Sequence, residues 1–208
     1  MFSIDRAITE FDHALRTLAG VHRTERRSPA DGVDEAPLAD AERTAAARLM
    51  RVNHVGEICA QALYQGQSLA STDPTVTGAL AGAAREEEEH LAWTAERIRE
   101  LGGRVSRLNP LWYASALAIG YAAGRFGERW NLGFLKETEL QVEAHLQSHL
   151  ERLSAQDRRT RAIVDAMKAD EAGHAVSASA LGAAELPMPV KGMMRLAAKV
   201  MTTVSYRV

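Results

Sequence analysis

The sequence predicts an all-α chain wired as a four-helix bundle with one long crossover. Three observations predict it. Apolar residues recur at three- and four-residue steps, and no run of alternating Val, Ile and Thr marks a strand. Turn signals at "STDP", at Gly102 and Gly103, and at Ser154 cut the chain into long helical stretches. An uncharged segment, residues 111 to 124, separates two pairs of those stretches, giving hairpin, crossover, hairpin.

The elements follow in order. Ile4, Ile8, Phe11, Leu15 and Leu18 form one stripe on a short first helix. The polar stretch "VHRTERRSPADGVDEAP" then reads as a linker, so residues 1–38 are expected to precede a main domain over 39–208. An alanine-rich helix is expected from about Asp40 to Ala70, and Pro74 opens the next, since proline is tolerated in a first helical turn. That second long helix should end at Gly102. After Asn109 and Pro110 comes "LWYASALAIGYAAG", then a third long helix from about Glu128 to Leu153. Ser154 is the expected N-cap of the fourth, which runs to about Leu181. "ELPMPVK" breaks the pattern, and a short helix from Gly192 to about Thr203 finishes the chain.

Composition removes several classes. With 208 residues, 46% of them hydrophobic, the chain can bury one sizeable core. A net charge of -2 leaves no basic footprint for nucleic acid. The lone cysteine, Cys59, excludes an internal disulfide and any CxxC pair. Asp5, Glu10 and Asp12 interrupt the first apolar stripe, so no secretory signal is expected.

The chemistry is concentrated in "REEEEHLAW", residues 85–93. Like charges one turn apart destabilise a helix, so this face is either solvated or neutralised by a cation. Glu87 and His90 stand at i, i+3, which puts carboxylate and imidazole on one helix face; Glu171 and His174 repeat the spacing. A third copy, Glu10 and His13, lies outside both hairpins and reads as surface. Across an antiparallel hairpin, two residues face each other when their numerical midpoint falls in the turn. Glu57 and Glu87 meet at position 72, within "STDP". Glu139 and Glu171 meet at 155, beside Ser154, although Glu137 and Glu143 fit nearly as well. Each half-site then lies about 15 residues from its hairpin tip, roughly 22 Å at about 1.5 Å per residue.

One Glu from each of two helices and Glu-x-x-His from the other two is the ligand set of di-iron and di-manganese carboxylate bundles. Hard oxygen donors with one nitrogen per metal suit iron or manganese better than zinc, and iron is the expected metal. Glu86, Glu88 and Glu89 are out of phase and read as supporting or surface groups.

"LMRVNHVGEICAQALYQGQ", "AREEEEHLAW", "TELQVEAHL", "DEAGHA" and the tail "PVKGMMRLAAKVMTTVSYRV" resemble the bacterial demethoxyubiquinone hydroxylase family, the 3-demethoxyubiquinol 3-hydroxylases. The resemblance covers about residue 40 to the end. It implies a ferritin-like di-iron carboxylate fold. It places the iron ligands at Glu57, Glu87, His90, Glu139, Glu171 and His174, choosing Glu139 over Glu143. It further implies an O2-dependent monooxygenase that hydroxylates a prenylated methoxy-methyl-benzoquinol in ubiquinone biosynthesis, with Glu87 and Glu171 bridging two iron ions. Asp170 and His145 are candidates to orient ligands, and Tyr64 either borders the quinol pocket or fills the core. The alternative is another ferritin-like di-iron protein, either a hydroxylase of a different substrate or an iron-storage protein.

A prenylated quinol resides in the bilayer. Residues 108–124, with Trp112, Tyr113 and Tyr121, are too short to span it but suit its interface. Lys191, Arg195 and Lys199 oppose Met193, Leu196, Ala197, Val200 and Val204 in a basic amphipathic tail. Peripheral attachment to the cytoplasmic side of the bacterial inner membrane is therefore expected, with a homo-oligomer or a biosynthetic complex as further partners.

Overall fold

A computed structural model describes residues 4–208. Among these residues it contains α1 (Ile4–Ala19), α2 (Asp40–Ala70), α3 (Pro74–Glu100), α4 (Asn109–Gly124), α5 (Glu128–Arg152), α6 (Arg158–Ala180) and α7 (Met188–Ser205), and no strand. The four long helices α2, α3, α5 and α6 make the ferritin-like bundle. α2 pairs with α3 and α5 with α6, α2 and α3 also pack on α5 and α6 respectively, and α4 is the crossover.

Helix boundaries follow local chemistry. Glu42 turns back to accept the Ala39 backbone N–H at 3.0 Å, closing the first turn of α2. The Asp73 carboxylate accepts the Thr75 N–H at 2.7 Å, and Pro74 occupies the first turn of α3 where no N–H is needed. α6 is capped by Asp157 rather than by Ser154. The Asp157 carboxylate accepts the Thr160 N–H at 3.1 Å and pairs with the buried Arg97 guanidinium at 2.9 Å, a charged double role that a hydroxyl cannot fill. α7 begins at Met188, not Gly192, because Pro189 is accommodated in its first turn.

The core is layered along the bundle axis. At one end Met50, Trp93, Ile98, Leu146, Leu150, Ile163 and Met167 form an apolar plug. At the other, Tyr64, Leu80, Leu132, Leu135 and Ala178 form a second. Each fully buried large side chain contributes about 1.5–3 kcal/mol. Residues 57, 87, 90, 139, 171 and 174 fall between the plugs in sequence on every helix, so two dry layers hold a polar layer between them.

α4 lies hard against α2 because two glycines let the backbones meet. A Cβ on Gly66 would collide with the Leu117 carbonyl oxygen, and one on Gly120 with that of Leu63. Residues 20–39 carry no regular helix beyond turns, but they are pinned. Ala30 joins the first plug, and Glu35 pairs with Arg97.

α1 is turned opposite to the expectation from its stripe. Ile4, Ile8, Phe11 and Leu15 are 50–80% exposed, while the polar side meets α2 through His13 to Gln61 at 3.0 Å and Gln65 to Glu10 at 2.7 Å. Only Leu18 and Ala14 reach an apolar cluster. The Glu10 and His13 pair is thus a docking contact on α2, not free surface.

Candidate metal centre

The polar layer collects all six residues singled out by spacing and resemblance. Two overlapping groups form, Glu57, Glu87, His90 and Glu171, and Glu87, Glu139, Glu171 and His174. In each, one ligand atom per residue lies within 4.8 Å of the others. Glu87 and Glu171 belong to both. The four glutamates and His90 are at most 2% exposed, so any cation held there would be nearly dry.

His90 Nδ1 is 2.8 Å from Glu87 and 3.7 Å from Glu171. His174 Nδ1 is 3.5 Å from Glu87 and 3.6 Å from both Glu139 and Glu171. Several of these atoms are buried without a hydrogen-bond partner: Glu87 Oε1, Glu139 Oε2, both Glu171 oxygens and both His174 nitrogens. Orphaned acceptors in a dry layer cost about 1–3 kcal/mol each, more when charged. A pair of divalent cations would satisfy the carboxylate oxygens and His174 Nδ1, and cancel the four carboxylate charges. The residues therefore fit a two-metal site with hard oxygen donors and one nitrogen per metal.

Electrostatics point the same way. Burial raises the Glu57 carboxyl, pushes Glu87 up to about 7 with help from Glu57, and pushes Glu171 up to about 8 with help from Glu87. Burial and Glu171 hold Glu139 well above the usual carboxyl range. Without a cation the layer retains protons near neutrality, and metal must displace them. Burial alone would lower His90, but Glu87, Asp170 and Glu57 outweigh it and raise the imidazole well above its ordinary value.

The supporting groups differ from the expectation in part. Asp170 meets His90 Nε2 at 2.9 Å, as proposed from its place in the chain. His145 makes no hydrogen bond to Glu139; it packs edge-on against His149, ring centroids 4.0 Å apart. Tyr64 is a core residue, and its hydroxyl donates to Glu139, a bond that only its helical phase with Glu57 hinted at. Glu86 sits 3.3 Å from His174 Nε2, and Glu89 pairs with Arg26.

A cavity of about 920 Å³ lies between α2 and α5, walled by α4 and α7. Its lining includes Glu57, Cys59, Leu63, Trp112, Ile119, Phe134, Val142, Met194 and Met201, with His145, His149 and Arg152 at one side. Burial lowers the imidazoles of His145 to about 4 and His149 to about 2, aided by Arg152 and, at His149, by His145 itself, so both rings are neutral.

A family model described as Ubiquinone biosynthesis protein COQ7 matches residues 44–205. The chain is 63% identical over 204 residues to a 3-demethoxyubiquinol 3-hydroxylase of Azoarcus sp. (strain BH72), covering 98% of this chain and 99% of the relative. It is 60% identical to the enzyme of that name from Aromatoleum aromaticum, covering 99% and 100%. With that of Nitrosospira multiformis it shares 59% identity, covering 99% of each chain.

Proposed function

The chain belongs to the COQ7 family of ubiquinone biosynthesis proteins, and we propose that it is a 3-demethoxyubiquinol 3-hydroxylase holding two iron ions through Glu57, Glu87, His90, Glu139, Glu171 and His174. The observation that carries this reading is the double membership of Glu57, which stands in the dry carboxylate layer and in the wall of the large apolar cavity. A substrate in that cavity would rest beside the metals. Iron, when bound, supplies the reductive chemistry of O2 that no side chain here can supply.

The chain's own residues do the rest. Leu63, Phe134 and Val142 present apolar walls that exclude water from a prenylated ring. His145 and His149 add neutral rings to the same wall, with His145 Nε2 and His149 Nδ1 buried and without a protein partner. Tyr64 fixes the orientation of Glu139.

Membrane attachment is part of the same proposal, on the cytoplasmic face of the bacterial inner membrane. No helix among the described residues is long and apolar enough to cross a bilayer. Exposed Leu111, Ile119 and Tyr121 on α4, and Met193, Leu196 and Val200 on α7, support an interfacial seat, since both helices wall the cavity. Lys191 is tied to Glu137 at 3.0 Å, which leaves Arg195 and Lys199 for anionic lipid. Leu117 packs toward α2, so charge is better introduced elsewhere. Ile119→Glu with Leu196→Glu should abolish flotation with anionic liposomes while iron content stays unchanged; undiminished flotation would refute the seat.

The decisive test of function is genetic. A deletion strain should accumulate the demethoxy quinone, and the wild-type chain should restore ubiquinone where Glu171→Ala does not. Normal ubiquinone in the deletion strain would overturn the assignment.

A further inference from the structure

Arg26 lies in the segment before α2, outside the residues 44–205 that match the family model, and nothing in the proposed reaction uses it. Its guanidinium reaches Asp170 at 2.9 Å. The same Asp170 oxygen meets His90 Nε2 at 2.9 Å, so a continuous line runs from Arg26 through Asp170 to His90. Arg26 also stacks over Trp93, 5.0 Å from the ring centroid, and Trp93 tilts against His90 with centroids 5.4 Å apart. His90 is therefore held at its far nitrogen and flanked by the tilted Trp93 ring, and one side chain grips both supports.

The segment is seated so that this grip has a fixed register. Glu89, one residue before His90, pairs with the Arg26 guanidinium and accepts the backbone N–H groups of Glu25 at 3.1 Å and Arg26 at 3.0 Å. Farther along, Glu35 pairs with Arg97 and lies 3.8 Å from Arg159. His174 has no such backing. Its Nε2 stands 3.3 Å from Glu86, whose side chain is 45% exposed, and neither ring nitrogen makes a hydrogen bond.

We propose that Arg26 is a positioning residue for His90, acting through Asp170 and Trp93, and that it makes the His90 metal position tighter than the His174 position. The proposal rests on the two-metal reading of the six-residue layer. A histidine ligand whose far nitrogen is bonded to an oriented carboxylate is preset in tautomer and ring angle, and loss of such an outer partner typically costs about 10- to 100-fold in metal affinity. Asp170 touches His90 directly, so Asp170→Asn should fall within that range. Arg26 is one step removed and its side chain is 43% exposed, so water screens part of its effect and about tenfold is expected.

The test is titration of metal-free full-length protein with Co(II), followed by its visible absorption and by calorimetry. Wild type should take up two Co(II) in steps of unequal affinity. Arg26→Ala should weaken the tighter step about tenfold and leave the weaker one unchanged, and Arg26→Lys should recover part of the loss. Glu35→Gln loosens the same segment without touching Asp170 and should change neither step. In a His90→Ala background, Arg26→Ala should cost nothing further, because its effect passes through that ring. Equal weakening of both steps, the same loss from Glu35→Gln, or an undiminished Arg26 effect without His90 would each overturn the positioning role. Failure of wild-type protein to bind Co(II) would instead overturn the two-metal reading itself.

Discussion

The halves of the metal layer carry the same Glu-x-x-His pattern yet stand in different surroundings. On α3, His90 is fully buried, with Asp170 behind it and Trp93 beside it. On α6, His174 is 10% exposed and faces the half-exposed Glu86. What this teaches is that spacing specifies which atoms can meet, whereas the quality of each meeting is set by distant residues that spacing does not register.

The comparison breaks most completely where the halves share residues. Glu87 and Glu171 contribute to both groups, Glu57 and Glu139 to one each. Glu171→Ala should therefore remove nearly all bound iron, while Glu57→Ala and Glu139→Ala should each leave about one ion per chain, of different affinity, because two donors and the shared pair persist. Metal analysis after desalting reads the difference. Full retention of iron in Glu171→Ala would remove it from the ligand set.

Next in size is the response of metal-free protein to pH. Glu87 and Glu171 are held at about 7 and about 8 in the fold, above the value near 4.5 that they adopt when unfolded. Their protonated forms stabilise the fold fully below about pH 4.5, and that contribution is lost as pH rises through 7 and 8. The melting temperature of metal-free protein should fall between pH 5 and 8, and iron should abolish the fall by replacing protons with cations. A metal-free melting curve that is flat across that range would mean that water reaches the layer and that burial does not raise the two carboxyls.

The backing groups separate the halves more finely. Asp170→Asn keeps volume but removes the charge behind His90, and about a 10- to 100-fold loss of iron affinity is expected. Glu86→Gln, at the solvent edge beside His174, should change affinity by no more than about fivefold, since exposed ion pairs contribute about 0–1 kcal/mol. Equal losses would show that the two histidines are supported alike.

How much of this was legible in the sequence depended on distance along the chain. Glu57 facing Glu87, and Glu139 facing Glu171, follow from antiparallel hairpins of known register, and i, i+3 spacing fixes the histidines. The choice of Glu139 over Glu143 needed the family resemblance, because a helix turn separates them by little. Arg26 was not legible at all: its partners lie 63 and 144 residues away, and its immediate neighbours look like any polar linker. The turning of α1 was hidden for another reason. Periodicity reveals that one face is apolar, not which surface that face will meet. The glutamines Gln61 and Gln65 on α2 offered Glu10 and His13 a hydrogen-bonded seat, and the apolar stripe was left outside.

That seat supplies the smallest and most selective test, since Glu10 and His13 are a third copy of the pattern that builds the metal layer. His13 Nε2 is 3.0 Å from the Gln61 amide oxygen in a partly buried contact, and neither Glu10 nor His13 belongs to either metal group. His13→Ala removes one hydrogen bond and leaves Gln61 wanting a partner at that oxygen, which costs about 1 kcal/mol. Gln61 itself is fully buried on α2, four residues after Glu57, so a disturbance there has a short path to the metal layer. Iron content and turnover should nonetheless stay near wild type, because the Gln61 amide nitrogen remains bonded to the Ala84 carbonyl and holds the side chain in place. Chemical denaturation, read beside iron analysis on the same preparation, separates the two effects. A loss of iron from His13→Ala comparable with that from His90→Ala would mean that α1 belongs to the site and that the pattern, not its place in the bundle, selects the ligands.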